Sequence, residues 1–220
     1  MFKAMGVKNV SVLNGGFPLW RKEKRPVEEG PVKVPQTNQP SFAARFNAAS
    51  IALSYALYYR ILYYTYVYVC TLNIKSDIAR IKKIVAGTDD ALIVDARSPD
   101  RFSGKIKETN PALRSGHIPG SVSLFYELLL DDSKLCYHHV NELRSIFENL
   151  GIDVKKRPIV TTCGSGVTAA IVSCLSCIFM VGIHLVQWTD KTPEQFPPLS
   201  LYNGSWNEWG SRKDCPVECD

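Results

Sequence analysis

Residues 158–170 read PIVTTCGSGVTAA, and the order of residue types in them is that of a strand, a tight turn and a helix. Ile159, Val160, Thr161 and Thr162 form a β-branched run behind a proline, the composition of a short buried strand. Cys163, Gly164, Ser165 and Gly166 then make a turn that looks too small to hide a thiol. From Val167 the sequence becomes the apolar opening of a helix. A cysteine between a strand end and a helix start has backbone N–H groups and the positive end of the helix dipole around its sulfur. Both favour thiolate over thiol, and the thiolate is the nucleophile. Glycines suit such a loop because they accept positive φ and let the backbone come close to an anion. The competing reading is a cysteine that merely fills space behind a strand.

The string CGSGVTA is more specific than that alternative. It resembles the active-site loop of the rhodanese superfamily and, within it, of the 3-mercaptopyruvate sulfurtransferases, whose cysteine carries a persulfide. In the thiosulfate-specific branch, basic residues typically fill the two positions after the cysteine, whereas Gly164 and Ser165 are neutral. A dianionic donor prefers cations there; a mercaptopyruvate-like donor can have its carboxylate held elsewhere. The resemblance implies Cys163 as nucleophile, Ser165 as a group that polarises the substrate, and amides from Gly164 through Gly166 and Val167 to Thr168 around the persulfide.

Composition bounds the function. The chain has 220 residues, 45% hydrophobic and 21% charged, as expected of a globular protein. Its net charge of +5 is modest, and the densest basic run, Arg21 to Arg25, is interrupted by Glu23, so nucleic acid is not an expected partner. Seven cysteines form no regular framework, and the start MFKAMGVKNV lacks the apolar stretch of a secretory signal. A reducing compartment, cytoplasmic or mitochondrial, fits best.

Residues 12–20, VLNGGFPLW, echo residues 201–209, LYNGSWNEW: an apolar pair, Asn-Gly, a small residue, an aromatic and a later Trp. Both resemble the closing strand, turn and helix of a rhodanese domain, so residues 1–25 read as the end of a first domain. Residues 26–75 read as a linker, with Pro26, Pro31, Pro35 and Pro40 among polar residues. Within it, residues 48–70 are apolar and rich in tyrosine over a bilayer-spanning length. Arg60 at mid-segment and tyrosines throughout argue against a membrane span. The family has no such insert, nor the long stretch from Met180 to Leu199. The catalytic domain is placed at residues 76–217.

That domain opens with SDIARIKKIVAG, a helix capped by Ser76 and ended by Gly87. A strand at residues 91–94 leads into DARSPDRF, which resembles the first box of the family, where an arginine at the position of Arg101 binds the donor anion. The competing reading for both Arg97 and Arg101 is surface ion pairing, and the guanidinium fork of Arg101, suited to a carboxylate, favours the site. RSGHIPGS at residues 114–121 resembles the second box, in which the histidine, here His117, is mainly structural. Asn110 stands where relatives often carry a further anion-binding arginine, and Arg114 is the candidate substitute. Residues 125–130 and 140–150 read as helices. Adjacent His138 and His139 diverge on a helix and make poor joint ligands. A zinc site from Cys174, Cys177, Cys215 and Cys219 lacks a matching second CxxC.

The expected fold is thus an α/β rhodanese-like domain: a central parallel sheet, helices on both faces, and the loop at a strand's C-terminal end. The implied activity takes sulfane sulfur from a small-molecule donor, 3-mercaptopyruvate or less well thiosulfate. A Cys163 persulfide then passes it to cyanide, a thiol or a thioredoxin-like acceptor, and no metal or organic cofactor is required. A phosphatase on this fold would carry an arginine where the chain has Ala169. The rival from another class is a non-catalytic or weakly active regulatory module, since little of a first domain is present.

Overall fold

Alternation along three short strands sets the architecture. Leu92 and Val94, Ile159, and Leu199 and Leu201 point to one side of a sheet, while Ile93, Val160 and Tyr202 point to the other, and all are buried. A sheet apolar on both faces must be covered on both, which is the condition of a parallel α/β domain. The computed structural model describes residues 13–31, 73–133, 135–154, 156–173, 175–176 and 199–220. The tyrosine-rich segment, most of the proline-rich linker, residues 180–198, Cys174 and Cys177 lie outside the described residues.

The strands are β1 (Asn73–Ser76), β2 (Leu92–Asp95), β3 (Val122–Ser123), β4 (Ile159–Thr162) and β5 (Leu199–Tyr202). They form one sheet in the order β1-β5-β4-β2-β3 with every pairing parallel. The helices are α1 (Gly16–Lys22), α2 (Ile78–Val85), α3 (Pro99–Phe102), α4 (Val140–Asn149), α5 at residues 169–173 and 175–176, and α6 (Ser205–Trp209). Leu143 and Phe147 of α4 and Val172 and Leu175 of α5 cover one face. Ile81 of α2 and Trp206 and Trp209 of α6 cover the other. From β2 the chain continues to β3 on one side, and from β4 to β5 on the opposite side. The C-terminal ends of β2 and β4 therefore flank the topological switch point, where such sheets bind ligands.

Three local expectations change. Ser76 does not cap α2; it ends β1, its hydroxyl bonded to that of Ser200 at 2.8 Å, and Asp77 caps instead by accepting from the Arg80 amide at 3.0 Å. A serine and an aspartate in succession compete for the same role, and sheet pairing took the first. The sheet accordingly begins at Asn73, ahead of the boundary read at residue 76. Residues 125–130 yield only one 3-10 turn, Tyr126–Leu129, because the next residues fold back through a bridge between Leu130 and Tyr137.

The internal echo has a structural counterpart. Gly16 and Ser205 occupy equivalent positions, each begins a helix, and their φ angles are 53° and 51°. Their surroundings differ: Phe17 is exposed and Trp206 buried.

Candidate active site

Cys163 follows directly on β4, and its loop is held from below by α6. The Cys163 amide donates to Ser205 Oγ at 3.2 Å, and Ser205 Oγ donates to the Tyr202 carbonyl at 2.7 Å. The carbonyls of Cys163 and Gly164 accept from the amides of Trp206 and Asn207, both at 2.9 Å. These are first-turn N–H groups that a helix leaves unsatisfied, so α6 turns the loop's carbonyls toward itself. The opposite edge of the loop keeps its amides for the sulfur. Gly166 N–H donates to Cys163 Sγ at 3.0 Å.

The sulfur is not on the surface: Cys163 is only 2% exposed, in contrast to the expectation of a turn too small to hide it. The four-residue turn places Cys163 inside the buried cluster that also holds Ala169 and Val172 of α5. Burial pushes its pKa up. Hydrogen bonds from the Thr168 side chain and from the amides of Ala169, Ser165 and Gly166 outweigh that and hold it below the ordinary thiol value. Gly166 has φ of +87°, and a methyl group on it would stand 3.0 Å from Asn203 Oδ1 and 3.2 Å from the Asn203 carbonyl. Ser165 and Val167 lie at the open rim, Val167 being 73% exposed.

Residues after β2 face this loop across the switch point. Asp95 is in register with Thr162, and the Ala96 amide donates to the Thr162 carbonyl at 2.9 Å. Arg97 is buried, contrary to its reading as a surface residue. It donates to both Asp95 oxygens, to Glu108 and to the Gly116 carbonyl, and its guanidinium lies 4.4 Å from the Trp206 ring centroid. It thereby ties the β2 end to the helix beneath the Cys163 loop. Arg101, on α3, does reach the loop: a methyl placed on Gly164 would be 3.5 Å from Nη2 and 3.7 Å from Nη1.

The other expected residues separate. Arg114 donates to the carbonyls of Gly210, Cys215, Trp209 and Arg212 at 2.6–3.2 Å, so its guanidinium is committed around the C-terminal end of α6 instead of facing the loop. Four converging carbonyls at a helix end are a cation site. Asn110 turns its side chain to the Ala112 amide. His117 stacks on Phe102 with centroids 3.8 Å apart, and its Nδ1 lies 2.9 Å from the Phe102 carbonyl. His139 caps α4 while His138 pairs with Glu142. No group of residues that could hold a metal ion occurs among the described residues.

Ser205 and Glu108 support the site and Asn203 stands against Gly166, and none of the three is read as a site residue from the sequence. Asn203 and Ser205 lie in the echoed segment, whose repetition was the available signal. Glu108, in KIKETNP, had none.

A cysteine-centred amide cradle at the C-terminal end of the middle strand of a five-stranded parallel sheet defines the class. The family profile of the rhodanese-like domain matches residues 78–212, and the chain belongs to that family. It is 32% identical over 220 residues to the 3-mercaptopyruvate sulfurtransferase of Escherichia coli (strain K12), covering 99% of this chain and 61% of that protein. With the mitochondrial thiosulfate/3-mercaptopyruvate sulfurtransferase 1 of Arabidopsis thaliana it shares 30% identity, covering 99% of this chain and 51% of the relative. The crystal structure of SseA from Escherichia coli, described as a 3-mercaptopyruvate sulfotransferase, superposes with a TM-score of 0.62 at 27% identity, covering 94% of this chain and 60% of SseA. The chain thus spans a little over half the length of the curated relatives it matches.

Proposed function

We propose that the chain is a sulfurtransferase that takes sulfane sulfur from 3-mercaptopyruvate, and less well from thiosulfate. The Cys163 thiolate attacks the donor's sulfur as the carbon–sulfur bond breaks. That bond's electron pair leaves with the enolate of pyruvate, which takes up the sulfur's proton and becomes pyruvate. Cys163 is left as a persulfide anion. An acceptor thiolate or cyanide then attacks the outer sulfur, the sulfur–sulfur bond breaks, and Cys163 returns as thiolate. In this reading the amides of Ser165, Gly166 and Ala169 and the Thr168 hydroxyl hold negative charge on sulfur, and Arg101 receives the donor carboxylate through its planar fork. Ser165, at the rim, polarises the donor carbonyl.

The observation that carries the reading is the set of donors converging on a buried Cys163 sulfur whose pKa they lower. A merely space-filling cysteine in an apolar setting has the opposite shift. The names of the relatives support the same chemistry. Residues 1–25 are read as the closing piece of a first rhodanese-type domain, consistent with the matching φ of Gly16 and Ser205.

Incubation with 3-mercaptopyruvate, followed by intact mass and peptide mapping, tests this: Cys163 gains the mass of one sulfur and loses it on addition of a thiol. The near-complete burial of that sulfur favours one rival, a rhodanese-type module that binds partners without turnover. A folded protein whose Cys163 gains no sulfur from either donor belongs to that class. No helix among the described residues is long and apolar enough to cross a membrane. The proposed compartment is cytoplasmic or mitochondrial, with a small thiol or a thioredoxin-like protein as acceptor.

A further inference from the structure

Glu108 carries a buried carboxylate whose side chain is 3% exposed, and it joins the two arginines that follow β2. It accepts from Arg97 Nη1 at 3.1 Å, from Arg101 Nε at 3.2 Å and from Arg101 Nη2 at 2.6 Å. A buried carboxylate is tolerated only when its charge and lone pairs are satisfied, and this one is satisfied by two cations at once.

The two arginines are used differently. Arg97 is consumed by Asp95, Glu108 and the Gly116 carbonyl. Arg101 spends Nε and one hydrogen of Nη2 on Glu108; of a guanidinium's five donors the other three have no acceptor among the described residues. Those donors sit on Nη1 and Nη2, the two atoms nearest Gly164, and the side chain is 36% exposed. One edge of the guanidinium is therefore fixed and the other offered to whatever occupies the Cys163 loop. Asp95, Arg97, Glu108 and Arg101 carry formal charges that cancel, so the offered edge brings hydrogen-bond donors with little net field.

We propose that Glu108 is a positioning and specificity-determining residue: it aims the Nη edge of Arg101 at the Cys163 loop and cancels its charge, so that the site favours a donor with one carboxylate over a dianion such as thiosulfate. The inference rests on the sulfurtransferase reading and adds a cause of donor choice distinct from the neutral Gly164 and Ser165.

Two variants and two readouts test it. Glu108→Gln keeps the shape and one acceptor but leaves the cluster with a net positive charge. The ratio of kcat/KM for thiosulfate to that for 3-mercaptopyruvate then rises by about tenfold, the scale of one charge-assisted contact. The pH midpoint of Cys163 alkylation by iodoacetamide, measured without any donor, falls by roughly half a unit to one unit. Glu108→Asp keeps the charge but draws it back from Arg101. It raises KM for 3-mercaptopyruvate several-fold with kcat and the alkylation midpoint unchanged. A folded Glu108→Gln with native donor ratio and native midpoint overturns the proposal. Should that variant not fold, an unchanged KM in Glu108→Asp overturns it. If the native protein transfers sulfur from neither donor, the sulfurtransferase reading fails, while the alkylation midpoint still reports whether Glu108 offsets charge at the loop.

Discussion

Ser205 Oγ accepts the backbone N–H of Cys163 at 3.2 Å, across 42 residues of sequence, and Ser205 does so from a left-handed conformation with φ of 51°. The bond fixes the first peptide of the loop against α6, so the serine sets the direction in which the loop's later amides point. Ser205→Ala leaves the buried Cys163 amide without its acceptor, at roughly 1–3 kcal/mol. Ser205→Gly loses the same bond but removes the cost of positive φ, roughly 1–2 kcal/mol. The expected outcome is equal loss of sulfur transfer in the two variants with the glycine form melting higher. A common melting temperature would show that the φ of Ser205 carries no strain.

If Cys163 carries the proposed chemistry, Cys163→Ser is expected to gain no sulfur from either donor, as read by intact mass and by turnover. Because the thiol is buried, the substitution also affects stability, and does so with a defined pH dependence. The folded pKa of Cys163 lies below its ordinary value, so between the folded and unfolded pKa values the native state binds fewer protons than the unfolded state. Stability from this group therefore rises with pH through that window, is complete above the unfolded thiol pKa, and is lost as pH falls through the folded one. The stability difference between native protein and Cys163→Ser, measured by urea unfolding, widens as pH rises through the window. A constant difference would contradict a depressed thiol pKa.

Gly166→Ala brings a methyl group to 3.2 Å from the Asn203 carbonyl, a backbone atom with little freedom to yield, at a φ of +87°. The positive φ alone costs roughly 1–2 kcal/mol. Moving Gly166 also withdraws its N–H from Sγ, so the alkylation midpoint of Cys163 rises together with the loss of stability. Thermal melting and alkylation kinetics on the same sample check both.

Arg114→Ala removes the cation from four carbonyls around the end of α6 and destabilises the domain by roughly 2–3 kcal/mol. The folded fraction keeps its KM for 3-mercaptopyruvate. A large rise in KM without a change in melting temperature would instead give Arg114 the anion-binding role that its neighbourhood in sequence suggested.

The strand-turn-helix around Cys163 and the parallel α/β class were legible in the order of residues alone, whereas Arg101 entered through the resemblance of DARSPDRF to a family box, and its approach to Gly164 is a matter of tertiary structure. Both of the first two follow from local order: a β-branched run, glycines in a short turn, and strands alternating with helices along the chain. The sequence also holds the echo that marks Ser205 and Gly16 as equivalent. Tertiary structure alone decided how the site is supported. Cys163 is buried because the turn carries it into the cluster shared by the sheet, α4 and α5. Arg97 is drawn inside because Asp95, Glu108 and the Trp206 ring meet it there. Arg114 is spent on the end of α6, and Glu108 becomes part of the site only because the loop after α3 returns it to both arginines. Charged residues have no periodicity that distinguishes a buried partner from a solvated one. Whether an arginine binds substrate or a helix end is fixed by which carboxylates and carbonyls the fold brings within hydrogen-bond reach, and those partners lie up to 101 residues away in the chain.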